Sequence, residues 1–339
     1  MNLIVPEEGE TVVTNVSRRK DDVLRIVVTD GTTEMTLAFL HRILSVNSFG
    51  PDQSVFISIY EFPEKAVFLE SIAIELTAFS PNILHGINYC FDASVAFKDA
   101  DVVVCIGTAR GYMFTENDYN DLFFKDYVRA AKFYGECIEK YAKRDAKIIV
   151  LGGTAATIIS RYATSIPIKN ITALSMFNRK IAAAHIAARA NCHPADIKNI
   201  IIWGSNNRYN FPDCGYMYFA DGRPLTDELI VWLKTDLPGI LRKITHRPRY
   251  VRSTACCLAD HCDILWNGTP ENEWACMGVL SDHSYGIRAG IFFSYPVFCR
   301  NGQYEIVQGL AIDEYVKRYI LDLSRLIARD VTAARALCD

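Results

Sequence analysis

The sequence predicts an α/β protein in two parts, a parallel doubly wound sheet followed by an α+β region. Three observations carry this. Short apolar runs bounded by turn residues alternate with longer amphipathic stretches as far as residue 204, the grammar of βαβ units. Beyond Asp213 the alternation gives way to short strand-like runs, with Asp-Gly at 221–222 and Asn-Gly at 301–302 as turn signals. Half of the 339 residues are hydrophobic, enough for a large core or two linked subdomains.

Residues 1–22 mix charges of both signs and read as an N-terminal extension that packs loosely. Leu24 to Thr29 is a short apolar strand, Asp30 to Glu34 a turn, and a helix then runs to about Val46 with Met35, Phe39, Leu40 and Ile43 inside. Val55 to Phe62 is a second strand with Glu61 at its end, Lys65 to Ala78 is helical, and Ile87 to Tyr89 is a third, short strand. Ala100 to Ile106, apolar but for Asp101, reads as a strand covered on both faces, and Gly107 ends it. Asp121 to Arg144 is the longest amphipathic helix of this half, and Lys147 to Leu151 is a strand punctuated by Gly152-Gly153.

A helix with Ile181, Ala184, His185 and Ala188 at apolar spacing follows and ends near Asn191. Pro194 opens a short helical turn, where a missing N–H is tolerated. The alternation closes on the apolar strand Ile200 to Trp203, which Gly204 ends and which releases a polar loop, Ser205 to Asn210, stopped by Phe211-Pro212-Asp213. Tyr216 to Phe219 with Ala220-Asp221-Gly222-Arg223 reads as a hairpin, and Ser253 to Trp266 as a helix. Met277 to Ser281, Ile291 to Cys299 and Tyr304 to Val307 read as antiparallel strands, and Asp313 to Leu337 as a terminal helix. The chain therefore divides into the extension 1–22, a Rossmann-type domain 23–153 and a second domain 154–339.

Composition excludes several classes. With 36 basic against 39 acidic residues and a net charge of −3, nothing points to nucleic acid or to an acidic membrane surface. Eleven cysteines lack CxxC spacing, and no signal peptide or apolar run of membrane length is present, so a reduced, soluble, cytoplasmic protein is expected. Cys257 and His261 share a helix face, but two ligands fall short of the three zinc requires, so small buried thiols and no metal are expected.

The motifs Asn199-Ile200-Ile201-Ile202-Trp203-Gly204, Phe211-Pro212-Asp213, Trp266-Asn267-Gly268-Thr269-Pro270 and Met277-Gly278-Val279-Leu280-Ser281-Asp282 resemble the cytosolic-type malate dehydrogenases. So do Tyr285-Gly286, Ser294-Tyr295-Pro296-Val297 and Lys140-Tyr141-Ala142-Lys143, and the matches run in order from about residue 24 to residue 330. The resemblance implies a lactate/malate dehydrogenase C-terminal domain, a homodimer, NAD on the first domain and interconversion of malate and oxaloacetate.

The parts that this chemistry needs are replaced. In the family a glycine-rich turn after the first strand lets backbone approach the pyrophosphate at a helix N-terminus. Here Asp30 stands at the first glycine and Thr33 at the second, and Asp30 reads as a cap on the following helix. Glu61 matches the acid that holds the adenosine ribose. Asn206 stands at the histidine that accepts the hydroxyl proton, and an amide nitrogen accepts no proton near neutral pH. Counting back without gaps, Asn178 stands at the aspartate that orients that histidine. Ile181 stands at the arginine that grips the substrate carboxylate, with no fork to offer it.

The loop after Gly107, which carries two arginines in the family, offers Arg110 alone and is longer, with Tyr112, Phe114 and Tyr119 as a docking surface or a lid. Ala156 replaces an asparagine that touches the ligands, while His185, on the face of Asn178, reads as a core or interface residue. The resemblance and these substitutions together lead to the expectation of a malate dehydrogenase-like pseudoenzyme, without bound cofactor, that acts as a homodimeric binding or assembly component. The alternative is an NAD-dependent malate dehydrogenase with a rearranged site. No nucleic-acid or membrane partner is expected.

Overall fold

The computed structural model describes residues 11–12, 23–78, 82–107, 122–205, 209–245 and 250–338. Six parallel strands form its first half: β2 (Leu24–Val28), β3 (Val55–Tyr60), β4 (Leu84–Cys90), β5 (Val102–Cys105), β6 (Lys147–Val150) and β7 (Ile171–Leu174). They lie in the order β4-β3-β2-β5-β6-β7. Every residue of β5 and of β7 is buried, because helices cover both faces. Alternate side chains serve the two sides: Ile26 and Val28 join the core under α1 (Glu34–Ser45) and α2 (Leu69–Ala78), whereas Val27 joins the core under α4 (Leu122–Tyr141) and α5 (Gly153–Tyr162). The short α3 (Ala93–Ala96) precedes β5. The N-terminal extension does more than pack loosely. Its Thr11–Val12, here β1, pairs antiparallel with β4 and extends the sheet at that edge.

The sheet does not stop where the parallel strands end. β7 pairs antiparallel with β12 (Ala275–Leu280), followed by β13 (Phe292–Arg300), β9 (Ile201–Gly204) and β10 (Asn210–Asp213), with β14 (Gln303–Ile306) beside β13. The expected strand around 200–203 is therefore present but antiparallel, bonded to β10 and β13. Its connection to β10 is too short for the crossover that a parallel neighbour needs. Gly204, at φ +106, permits this tight return, since a Cβ there would lie 2.0 Å from the Tyr209 carbonyl oxygen.

The hairpin read around 216–223 is also corrected. Tyr218–Phe219 (β11) pairs with the short β8 (Ile197–Lys198), and the Ala220-Asp221-Gly222 turn leads instead into α7 (Asp227–Thr235), capped by the Thr226 hydroxyl, and then α8 (Leu237–Thr245). No apolar run follows the turn to serve as a second strand, and Thr226 starts a helix. α5, β7, α7 and α8 have no counterpart in the sequence reading. The remaining helices are α6 (Met176–Ala190), α9 (Val251–Asn267) and α10 (Glu314–Arg335). α6 buries Asn178, Ala182, Ala183, Ile186 and Ala187, while Ala184 and Ala188 of the expected apolar spacing are exposed.

Candidate functional site

Strand order reverses between β2 and β5, and a crevice outside the carboxyl ends of such strands is where doubly wound sheets bind ligands. Asp30, at the end of β2, bridges that point. Its Oδ2 accepts hydrogen bonds from the Gly107 N–H across the reversal (2.9 Å), from the Thr29 hydroxyl (2.7 Å) and from the Tyr134 hydroxyl of α4 (3.1 Å). Asp30 sits at φ +56, a left-handed conformation that aspartate tolerates better than most residues. Burial pushes its carboxyl above the usual carboxylate range, the nearby Glu61 charge adds to this, and the three donors oppose it.

The expected cap role of Asp30 is not what its side chain performs. Thr33 caps α1, its hydroxyl accepting the Thr36 N–H at 3.1 Å. Thr33 has the extended backbone and the oxygen one residue from the helix that capping requires, while the Asp30 carboxylate points across to β5. Gly31 is fixed by packing: a Cβ there would lie 2.4 Å from Ile59 and 2.7 Å from Leu69.

Glu61, immediately after β3, is buried and turned inward. Its Oε2 accepts from the Thr32 hydroxyl (2.6 Å) and the Thr32 N–H (3.2 Å), and its Oε1 from the Phe62 N–H (3.0 Å). Beside it, rings close over the strand ends. Tyr134 lies within 5.9–6.4 Å, centroid to centroid, of Tyr60, Phe62, Phe97 and Phe133. Between Gly107, Tyr134, Tyr127 and Gly152 the remaining cavity is about 20 Å³, the size of one water molecule.

A dinucleotide requires free N–H donors at this turn, backbone that the pyrophosphate can approach, and a carboxylate open to the ribose hydroxyls. The N–H groups of Thr32, Thr36 and Gly107 are already bonded to Glu61, Thr33 and Asp30. Glu61 already holds a hydroxyl, that of Thr32. Asp30 adds negative charge where phosphates would sit. These residues do not fit NAD. The sequence reading missed Thr32 and the five rings; the one available signal was the pair of aromatics flanking Glu61, matched by Phe133-Tyr134 on a helix facing them.

The catalytic side begins with α6. Asn178 is fully buried in its first turn, its amide nitrogen donating to the Ser205 carbonyl at the end of β9 (3.3 Å), with no partner for its Oδ1 among the described residues. That turn holds no acidic residue. Ile181 is half-buried against the apolar core, and Ala156 is fully buried within α5. Asn206, Arg110 and the ring residues Tyr112, Phe114 and Tyr119 lie outside the described residues.

His185 is half-buried on α6. His261 is fully buried with its Nε2 2.9 Å from the Thr172 hydroxyl, and burial holds its pKa down at about 3. Cys257 is a buried free thiol, pushed up to about 11 by the same cause, and no group of three metal-ligating residues exists among the described residues.

Residues 250–333 match the lactate/malate dehydrogenase alpha/beta C-terminal domain, and with the sheet topology this defines a protein of the lactate/malate dehydrogenase class. The cytoplasmic malate dehydrogenase of Taenia solium is 33% identical over 313 residues, covering 87% of this chain and 92% of its own length. A malate dehydrogenase of Nicotiana tabacum is 31% identical, covering 88% of this chain and 93% of its own. The chain belongs to the malate dehydrogenase family. The crystal structure of malate dehydrogenase from Naegleria fowleri superimposes with a TM-score of 0.85 at 25% identity, covering 94% of this chain and all of the other. No helix among the described residues is long and apolar enough to cross a membrane.

Proposed function

We propose that this member of the malate dehydrogenase family neither holds NAD nor transfers hydride, and serves in the cytoplasm as a homodimeric binding or assembly component. One observation carries the reading: the Asp30 carboxylate bonded to Gly107 across the strand-order reversal, where the cofactor's phosphates would lie. The rings around Tyr134 and the Thr32–Glu61 contact support it on the adenosine side. On the substrate side Asn178 offers an amide where a carboxylate must stabilise a protonated histidine, and Asn206 offers no base at all.

Thermal unfolding tests the cofactor half. A ligand at about 100 times its Kd stabilises the folded state by roughly 2.7 kcal/mol. Millimolar NADH is expected to leave the melting temperature unchanged, and a clear rise would overturn the proposal.

The dimer rests on α6, whose exposed Ala184 and Ala188 let a second helix approach closely beside half-buried Ile181 and His185. Light scattering at micromolar concentration is expected to give twice the chain mass of 38.2 kDa. A monomer mass would remove the interface.

A further inference from the structure

A second cavity, of about 320 Å³, lies between β10, α7 and the first turn of α10. None of the residues around Asp30, Glu61 or the start of α6 lines it. Its volume is at the lower end of the roughly 300–1,000 Å³ of small-molecule sites. Phe211, Met217, Leu225 and Leu233 make most of it apolar. Its charged groups are few and unequal in burial.

Asp213 is 7% exposed, accepting the indole N–H of Trp203 on one oxygen (3.1 Å) and the Gly215 N–H on the other (2.9 Å). It forms no ion pair among the described residues. A carboxylate has about four lone-pair sites, so two stay open. Asp313 adds a second carboxylate, with one oxygen on the Val316 N–H as the cap of α10. Among the described residues Lys234 is the single cation of the lining, and it is exposed, so solvent and salt screen it far more than they screen Asp213. Phe211 and Tyr315 both line the cavity, their ring centroids 6.0 Å apart and edge to face.

We propose that this cavity binds a small organic monocation, a primary ammonium on an apolar body. A buried carboxylate without a counter-charge is costly, and an ammonium supplies both the charge and the donors that Asp213 lacks. The rings attract a cation further. An organic anion of the same shape meets two carboxylates and is refused.

Calorimetric titration of the full chain with phenethylamine and with phenylacetate, matched in body and opposite in charge, separates these cases. The amine is expected to bind at millimolar concentration and the acid not to. Asp213→Asn should weaken amine binding by about tenfold or more, equivalent to about 1.4 kcal/mol. Leu225→Trp, which fills the cavity and leaves both carboxylates in place, should abolish it even if Asp213→Asn proves unstable. Absence of amine binding, equal binding of both probes, or binding that survives Leu225→Trp would each overturn the proposal. All of these readouts are independent of whether NAD binds.

Discussion

Between pH 6.5 and pH 3 the protein is expected to lose roughly 5 kcal/mol of stability through one histidine. His261 is fully buried, its Nε2 meets Thr172, and its Nδ1 has no partner among the described residues. Burial lowers its pKa from 6.5 to about 3 in the folded state. Below pH 6.5 the unfolded chain takes up a proton that the folded chain refuses, so stability is full above that value and falls as the pH drops towards 3. At about 1.36 kcal/mol per pH unit the full span amounts to roughly 5 kcal/mol.

Urea unfolding of wild type and His261→Gln from pH 7 downwards measures this, glutamine retaining a polar contact for Thr172. The wild-type profile should be the steeper one, and parallel profiles would show that the ring is charged or solvated. Asp30 acts with the opposite sign. Its folded-state pKa is raised above 3.8, so its contribution is least favourable at neutral pH and improves as the pH falls through that window. Asp30→Asn should therefore make acid unfolding somewhat steeper than in wild type.

The elements legible in the sequence were those whose environment is written into consecutive residues. β5 is an unbroken apolar run because it is buried on both faces, and α4 and α10 show their buried stripes at helical spacing. What failed depended on pairing partners outside the segment itself. Ile201–Gly204 has the apolar character of a parallel strand, yet pairing with β10 and β13 makes it antiparallel, and strand composition does not encode direction. The substitutions at Asp30, Thr33, Asn178, Ile181 and Ala156 were visible one by one. The contact between Asp30 and Tyr134 was not, since they lie 104 residues apart and only the fold brings them together. Asp30 as a cap was a reasonable local inference, displaced because Thr33 stands nearer the helix and Gly107 offers a closer donor across the sheet.

Wild-type protein is expected to show no reduction of oxaloacetate by NADH above background, and the order in which repairs restore it is set by the structure. Asn206→His with Asn178→Asp returns the base and its orienter, a pair worth about 10²–10⁴ in rate when the rest of a site is present. Alone it should give nothing measurable, because Ile181 leaves the substrate carboxylate unheld and Asp30 still crosses to Gly107. Adding Ile181→Arg, Asp30→Gly and Thr33→Gly supplies the clamp and frees the turn, yet the Tyr134 ring remains packed among Tyr60, Phe62, Phe97 and Phe133. Turnover should therefore appear only when Tyr134→Ala is included, since groups that work together return together. Removing that ring costs about 3–5 kcal/mol by comparison with other aromatic-to-alanine changes, so circular dichroism must first show that the variant is folded. Turnover in the five-fold variant with Tyr134 intact would mean that the rings do not block the cofactor. Turnover in the wild type, abolished by His185→Ala, would place the chemistry further along α6, at His185, and overturn the proposed loss of hydride transfer.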